Sequence, residues 1–144
     1  WIRTMAPKAV IFAQALPEPE VSPEAAAAAG ASIVASGLYD YPNVISNLHS
    51  TPGIMRGALD VRAASLNDNT FLSAARALAS VVDRRMLGPR HIMPDLFCDE
   101  VVPKVAEAVA QATIADGLAA HPLPKGQVYN DTWERLFGGR AARL

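Results

Sequence analysis

Cysteine is nearly absent from this sequence: Cys98 is the single one in 144 residues. One thiol excludes an internal disulfide and is typical of a reducing compartment, so we expect a cytoplasmic protein. Cys98 follows Leu96 and Phe97, an apolar setting without a neighbouring base. An inert thiol is therefore favoured over a nucleophile.

Glycine is sparse as well. The nine glycines are widely spaced, and none forms the G-x-G-x-x-G turn that cradles a pyrophosphate after a strand. The chain by itself therefore lacks the strongest sequence element of a dinucleotide site. The histidines are isolated, without metal-ligand spacing, so no metal site is predicted in this segment.

An excess of charge of one sign and long apolar runs are also missing. The net charge is −1, which gives no electrostatic reason to expect nucleic acid or an anionic membrane as a partner. The longest apolar run is far shorter than the ~20 residues of a transmembrane helix. A hydrophobic share of 51% with 19% charged residues excludes a disordered chain. The chain begins at Trp1 without a signal peptide, and we expect a piece of a longer polypeptide.

The first third of the sequence predicts a strand, a short helix and a second strand. Residues 9–15 are almost continuously apolar, which is typical of a parallel strand buried on both faces. Ser22 and Pro23 are cap and first-turn residues for a helix over residues 25–29, and Gly30 is its expected stop. Residues 31–37 are the second strand. The unit is a βαβ motif.

Helices dominate the rest of the predicted structure. Helices are expected over residues 52–62, from Asn67 or Asp68 to about residue 82, and over residues 99–116, where Gly117 ends the last one. The predicted apolar faces of the second and third helices are Phe71, Leu72, Ala75, Leu78, Ala79 and Val82, and Val101, Val105, Val109 and Ala112. Residues 118–144 form a linker and an aromatic tail, expected to dock on the body or on a partner subunit through Trp133, Leu136 and Phe137.

Two places could carry chemistry. In open α/β sheets ligands gather at the carboxyl ends of the strands, which here are residues 15–17 and 36–37. The turn that contains Ser46 and Asn47 opens directly onto an apolar helix, so it can aim hydroxyl and amide groups at a small polar ligand. Asn47 could instead cap that helix or close an Asx turn.

The sequence resembles the malic enzymes, in the second half of their nucleotide-binding domain. The resemblance runs from about residue 5 to residue 117, almost without gaps, and leaves residues 118–144 unmatched. Its segments are Met5-Ala6, Val10-Ile11-Phe12-Ala13, Pro17-Glu18-Pro19-Glu20, Ser22-Pro23-Glu24-Ala25, Ser36-Gly37, Asp40-Tyr41-Pro42-Asn43, Asn47, Pro52-Gly53-Ile54, Arg56-Gly57-Ala58-Leu59-Asp60-Val61-Arg62-Ala63, Ala74-Ala75-Arg76-Ala77-Leu78-Ala79, Ile92-Met93-Pro94-Asp95 and Val105-Ala106-Glu107-Ala108-Val109-Ala110.

The resemblance implies a partial α/β fold: the C-terminal portion, residues 1–117, of a Rossmann-type three-layer domain with a parallel sheet and a helix-rich second half. It implies an oxidoreductase that decarboxylates malate, or a related 2-hydroxy acid, to pyruvate and CO2 with NAD or NADP and Mg2+ or Mn2+. The family's glycine-rich loop, metal ligands and catalytic Tyr and Lys precede the matched segment. This segment is therefore expected to form a pocket wall within a homo-oligomer and to be inactive without the upstream polypeptide.

The resemblance also assigns site residues. It implies that Ser46 and Asn47 bind the substrate carboxylate, and that the cofactor is lined by Ala15, Leu16, Pro17, Gly37 and Asn47. Two of these positions depart from the family, which has Asn where Leu16 and Ser46 stand. The departures leave three interpretations open: a changed substrate, a decayed activity, or a non-catalytic protein that keeps the fold for assembly or ligand binding.

Overall fold

The computed structural model describes residues 1–138. These residues belong to two compact units. The first unit consists of Trp1–Ser46 and Val82–Leu96, and the second consists of Asn47–Val81 and the chain from Phe97 onward. Each unit is described by itself below.

The first unit contains the predicted βαβ motif. Strand β1 (Val10–Ala13) pairs in parallel with strand β2 (Ile33–Ser36), and helix α1 (Pro23–Ala28) connects them. The Ser22 hydroxyl accepts a hydrogen bond from the Ala25 amide at 3.2 Å, and Gly30 ends the helix region at φ +106°. Both predicted caps are therefore confirmed, because Ser satisfies a free helix amide and Gly adopts the left-handed conformation.

Strand β1 corrects the prediction of a strand buried on both faces. Ala13 is buried and Ile11 is half-buried, but Val10 and Phe12 are 47% and 56% exposed. Successive side chains of a strand point to opposite faces. The residues that the structure describes therefore cover one face of β1 and leave the other exposed.

The second unit is helical. A short 3-10 helix (Asn47–His49) leads into α2 (Thr51–Asp60), which is followed by α3 (Asp68–Val81), α4 (Val101–Ala115) and α5 (Gln127–Phe137). Helices α2, α3 and α5 all pack against α4. The helix-rich second half of the predicted fold is confirmed.

Helix α4 forms the centre of this unit, as its valine stripe predicts. Val101, Val105, Val109 and Ala112 are all buried. They lie four, four and three positions apart, the spacing of one helix face. Gly117, at φ +70°, follows the end of the helix as expected.

Helix α3 begins as predicted but turns a different face to the core. The Asn67 side-chain oxygen accepts from the Thr70 amide at 3.0 Å, which confirms Asn67 as the cap. Phe71 and Leu72 are each 49% exposed, and Ala75 and Ala79 are exposed as well, so the predicted apolar face is wrong at these four positions. Leu78 and Val82 are covered as predicted. The residues that are buried or pack on the core are Thr70, Ala74, Ala77, Leu78 and Val81. Because alanines occur on several sides of this helix, its hydrophobic periodicity is compatible with the predicted face and with the observed one.

Helix α5 lies within residues 118–138 of the predicted tail, and residues 139–144 lie outside the described residues. Val128 is fully buried with Val61, Ala106 and Ala110, and Thr132 is also buried. The Glu107 carboxylate accepts hydrogen bonds from the amides of Gly126 (2.6 Å) and Tyr129 (3.1 Å). The buried side chain of Val128 and the Glu107 carboxylate of α4 thus hold α5 in place. Leu136, an expected docking residue, is 47% exposed.

Among residues 1–138, the helices are all too short or too polar to cross a bilayer.

Candidate functional site

The carboxyl ends of β1 and β2 lie side by side in the first unit. Ala13 is the register partner of Ser36, and the Gly37 amide continues the ladder by donating to the Ala13 carbonyl at 3.2 Å. The strands are parallel, which the proposed site requires, because only then do both carboxyl ends reach the same edge. Residues 14–17 and Gly37 follow directly.

Leu16 projects from this edge. It is 64% exposed, and the Leu16–Pro17 peptide bond is cis. A Cβ added at Gly37 would lie 3.3 Å from Leu16 Cδ2 and 3.3 Å from the Gln14 carbonyl oxygen. Gly37 is buried, so its lack of a side chain lets the two strand ends approach closely. The edge presents an apolar side chain over backbone, a surface suited to the face of a flat ring.

Ala15 takes part in a turn hydrogen bond. Its amide donates to the Glu20 carboxylate at 3.0 Å, and this bond is the main reason that the pKa of Glu20 lies below its ordinary value. The residues that follow β1 are thereby tied to the turn that carries Glu20. Glu20 itself is exposed.

The chain after β2 returns to that strand. Val44 forms a parallel bridge with Ser36; the Ser36 amide donates to the Asn43 carbonyl at 3.2 Å and the Ile45 amide donates to the Ser36 carbonyl at 2.8 Å. Ser46 is the next residue and is half-buried. Its backbone position is thus set by the end of a parallel strand.

Asn43 holds this return and was not among the predicted site residues. It is 8% exposed, at φ +57°. Its side-chain amide donates to the carbonyls of Val34 (3.0 Å) and Pro89 (2.8 Å), and its side-chain oxygen accepts from the Ile92 amide at 2.9 Å. An Asn after Tyr-Pro is a sequence sign of a turn with positive φ, but Pro89 and Ile92 are 46 and 49 residues away and leave no local signal.

A groove of about 430 Å³ runs beside this return in the first unit, lined among others by Glu24, Asp40, Tyr41 and Arg90. The Tyr41 hydroxyl donates to Glu24 at 3.2 Å. Partial burial raises the pKa of Tyr41, and the negative charge of Glu24 raises it further. Tyr41 is therefore a neutral hydrogen-bond donor near pH 7 rather than a base.

Asn47 opens the second unit, in the 3-10 helix before α2. Its side chain is exposed and makes no hydrogen bond to the described residues. The residue that precedes α2 is Ser50, and no side chain caps this helix. The alternative reading of Asn47 as the cap of α2 is therefore wrong, and its amide group faces solvent.

Two glycines fix the helix that follows Asn47. Gly53 and Gly57 are buried on the face of α2 that meets α4. A Cβ at Gly53 would stand 2.6 Å from Val105 Cβ, and one at Gly57 would overlap the Ala106 carbonyl oxygen. The helices pack at backbone distance, which holds α2 firmly. Arg56 and Asp60 pair on the same helix, with Arg56 Nε donating to Asp60 Oδ2 at 2.8 Å.

The described residues differ in what they offer to a metal ion and to a nucleotide. Within residues 1–138, no group of three or more His, Cys, Asp or Glu could hold a metal ion. No catalytic step is therefore assigned to a metal on these residues. At the strand ends, Leu16 offers an exposed apolar side chain beside Gly37, which has none.

A two-strand parallel βαβ motif with candidate ligand groups at its carboxyl edge defines the class: a partial Rossmann-type nucleotide-binding domain. The family model described as malic enzyme, NAD binding domain, matches residues 15–114. This chain belongs to the malic enzyme family.

Known relatives agree. The bifunctional malic/malolactic enzyme of Bacillus subtilis is 44% identical, covering 91% of this chain and 32% of that protein. The NAD-dependent malic enzyme of Geobacillus stearothermophilus is 42% identical, over 82% of this chain and 24% of that protein. Other relatives are named NADP-dependent malic enzymes. The chain thus spans about a third or less of the length of the curated relatives it matches.

A solved structure extends the likeness to the tail. The crystal structure of the malic enzyme of Entamoeba histolytica superposes with a TM-score of 0.92 at 38% identity, covering 99% of this chain and 30% of that one. The family and the partial α/β fold predicted from the sequence are confirmed. Since the superposition covers 99% of this chain, it includes α5, which lies beyond the residues that the sequence resemblance matched.

Proposed function

We propose that the polypeptide carrying this chain oxidises and decarboxylates malate, or a related 2-hydroxy acid, to pyruvate and CO2 with NAD or NADP. The match to the NAD-binding domain over residues 15–114 carries this proposal. Parallel strand ends bearing an exposed apolar side chain support it. Mg2+ or Mn2+ would be held by residues elsewhere in the polypeptide.

The first unit lines the nicotinamide side. Ala15, Leu16, Pro17 and Gly37 follow the two strand ends, and Leu16 is the exposed apolar contact among them. When NAD(P) is bound it supplies the acceptor for the hydride from the substrate carbon. The residues named here orient that ring and keep water from one of its faces.

Ser46 and Asn47 orient the substrate carboxylate. Asn47 also contacts the cofactor in this proposal. The Asn47 amide is exposed and makes no hydrogen bond to the described residues, so binding a ligand breaks no bond in this part of the chain. A carboxylate accepts hydrogen bonds from an amide and a hydroxyl, which are the groups these two side chains offer.

Leu16 and Ser46 set the expected efficiency. Leucine cannot donate a hydrogen bond, whereas the family has Asn at that position. A hydrogen bond to a charged group contributes about 1.5–3 kcal/mol, so its loss lowers kcat/KM for malate by roughly one to two orders of magnitude. Leu16 also favours a substrate with an apolar group near its side chain.

The test is malate-dependent reduction of NAD and of NADP by the full-length protein with Mg2+ or Mn2+. The variants Leu16→Asn and Ser46→Asn, alone and together, restore the family residues. We expect kcat/KM for malate to rise by about tenfold for Leu16→Asn, which restores a missing donor, and by less for Ser46→Asn, since the Ser46 hydroxyl already donates in this proposal. Leu87→Asn is the matched control, since Leu87 is a 54% exposed leucine outside the proposed site and its change should leave kcat/KM unaltered. Absence of both NAD(P) binding and malate oxidation would refute the catalytic proposal.

The departures also favour a second candidate: a non-catalytic relative that keeps the fold for assembly or ligand binding. The same variants decide between the two. A drifted enzyme gains malate turnover when Asn is restored at positions 16 and 46, whereas a non-catalytic protein gains none, even if it binds malate or NAD(P) in calorimetry.

The arrangement of the whole polypeptide completes the proposal. Residues 1–117 are the C-terminal portion of the cofactor domain, and residues 118–144 are the tail. The upstream part of the polypeptide covers Val10 and Phe12, which residues 1–138 leave exposed. The intact protein is a homo-oligomer in the cytoplasm, without nucleic-acid or membrane partners, which light scattering and fractionation would check.

A further inference from the structure

The loop from Gly37 to Ser46 leaves β2 and returns to it within ten residues, and one side chain holds it closed. Asn43 satisfies three backbone groups through its carboxamide: two carbonyls and one amide. These groups belong to two other segments, namely β2 and residues 89–92, so the Asn43 side chain joins the loop to both. The bonds lie at 2.8–3.0 Å in a position only 8% exposed. Buried carboxamide bonds of this kind define a single loop conformation.

The geometry of Asn43 narrows which side chains could replace it. Its φ of +57° lies in the left-handed region, which favours Gly, Asn and Asp. Both of its amide hydrogens point at carbonyl oxygens, and its oxygen faces an amide. Asp keeps the acceptor but would direct a carboxylate oxygen at two carbonyl oxygens. Gly keeps the backbone conformation and removes all three bonds.

We propose that Asn43 is a positioning residue for substrate binding: its carboxamide ties the return loop to residues 89–92 and thereby fixes Ser46. The link to Ser46 is short. Asn43 and Ile45 pair through the backbone with Ser36, and Ser46 follows Ile45. The inference rests on the proposed role of Ser46, and it assigns the accuracy of the carboxylate contact to a side chain that never touches the ligand.

The experiment uses the full-length protein with Asn43→Asp and Asn43→Gly. Val128→Ala is the matched control, because Val128 is fully buried in the second unit and its truncation lowers stability without altering the return loop. Three readouts are compared: the Tm, the hydrogen exchange of amides 38–46, and the KM and kcat for malate.

We expect both Asn43 variants to exchange amides 38–46 at least about tenfold faster, since about one hydrogen bond's free energy or more is lost. The KM for malate should rise by about tenfold while the KM for NAD(P) changes less than about twofold. Val128→Ala should lower the Tm with neither effect. Asn43→Gly separates the carboxamide from the backbone, because it keeps positive φ.

Three outcomes would overturn the proposal. Unchanged exchange of amides 38–46 shows that Asn43 does not order the loop. Faster exchange with an unchanged KM for malate shows that loop order does not matter to the substrate. An equal rise in KM for Val128→Ala shows a general effect of stability. If the unaltered protein neither binds nor oxidises malate, the proposed function is wrong, and the role of Asn43 in substrate binding is wrong with it. The exchange of amides 38–46 still shows in that case whether the Asn43 side chain orders the loop.

Discussion

Gly57→Ala is a test in which two physical effects have opposite signs. Alanine is a better helix former than glycine by about 1 kcal/mol, so an isolated α2 would gain stability. In the folded chain, however, Gly57 faces α4 at backbone distance. An added Cβ would overlap the Ala106 carbonyl oxygen and stand 3.0 Å from Val109 Cβ. A carbonyl oxygen on a helix cannot rotate away, so α2 must move.

The magnitude follows from that movement. Restoring van der Waals distance requires α2 to shift from α4 by on the order of 1 Å, and such a gap forfeits a quarter to a half of each contact's attraction. Inserting a methyl group into a packed core costs about 1–3 kcal/mol. After the propensity gain of about 1 kcal/mol, the net loss expected in the free energy of unfolding is about 0–2 kcal/mol.

The measurement is denaturant unfolding of the full-length protein, followed by circular dichroism. Gly88→Ala is the matched control, because the nearest atom to its added Cβ, the Met86 carbonyl oxygen, is 3.9 Å away. That variant should lie within about 0.5 kcal/mol of the unaltered protein. A Gly57→Ala variant that is more stable than the parent by the full propensity gain of about 1 kcal/mol would show that α2 does not pack on α4 at backbone distance.

Two further predictions concern polar groups. Glu107→Ala removes the acceptor for two amides at the start of α5, so we expect the unfolding free energy to fall by about 1–3 kcal/mol. The amide hydrogens of residues 126–130 should also exchange faster with solvent. Glu18→Ala is the exposed control, and equal exchange in the two variants would contradict the capping role of Glu107. Hydrogen bonds from Asn69 and then Asn67 hold the pKa of Asp116 below its ordinary value. Because the pKa of Asp116 is lower in the folded chain than in the unfolded chain, this carboxylate stabilises the fold at pH values above its unfolded pKa of about 4. That contribution to the unfolding free energy is lost as the pH falls through the folded pKa. Asn69→Ala should therefore raise the Asp116 pKa in an NMR titration, and an unchanged pKa would refute the assignment.

Local signals predicted the elements that local chemistry fixes. Ser22 and Gly30 mark the limits of α1 because capping depends on the residues next to the helix. The valine stripe of α4 predicted part of its buried face, and Ala106, Ala110 and Thr113 are buried as well. Helix α3 carries no such stripe of branched residues, and the face that it buries was decided by α4 rather than by its own pattern.

Contacts distant in sequence were not predictable in this way. The three bonds of Asn43 join residues up to 49 positions apart, and the Glu107 carboxylate reaches the start of α5 from 19 and 22 positions away. Neither an Asn in a turn nor a Glu on a helix indicates its distant partner. The prediction that both faces of β1 are buried was wrong for another reason. An apolar run predicts burial on both faces, whereas the residues that the structure describes cover one of them.

Scaffold and site can be separated experimentally, because different residues carry them. The 3-10 helix that contains Asn47 leads directly into α2, so the backbone of Asn47 depends on how closely Gly53 and Gly57 let α2 approach α4. Gly57→Ala should therefore lower stability and raise the KM for malate together. Asn47→Ala removes an exposed side chain without a hydrogen bond to the described residues, so it should raise the KM and leave the unfolding free energy within about 0.5 kcal/mol. If Asn47→Ala instead lowers stability as much as Gly57→Ala, the side chain holds the fold, and its proposed role in binding the carboxylate is wrong.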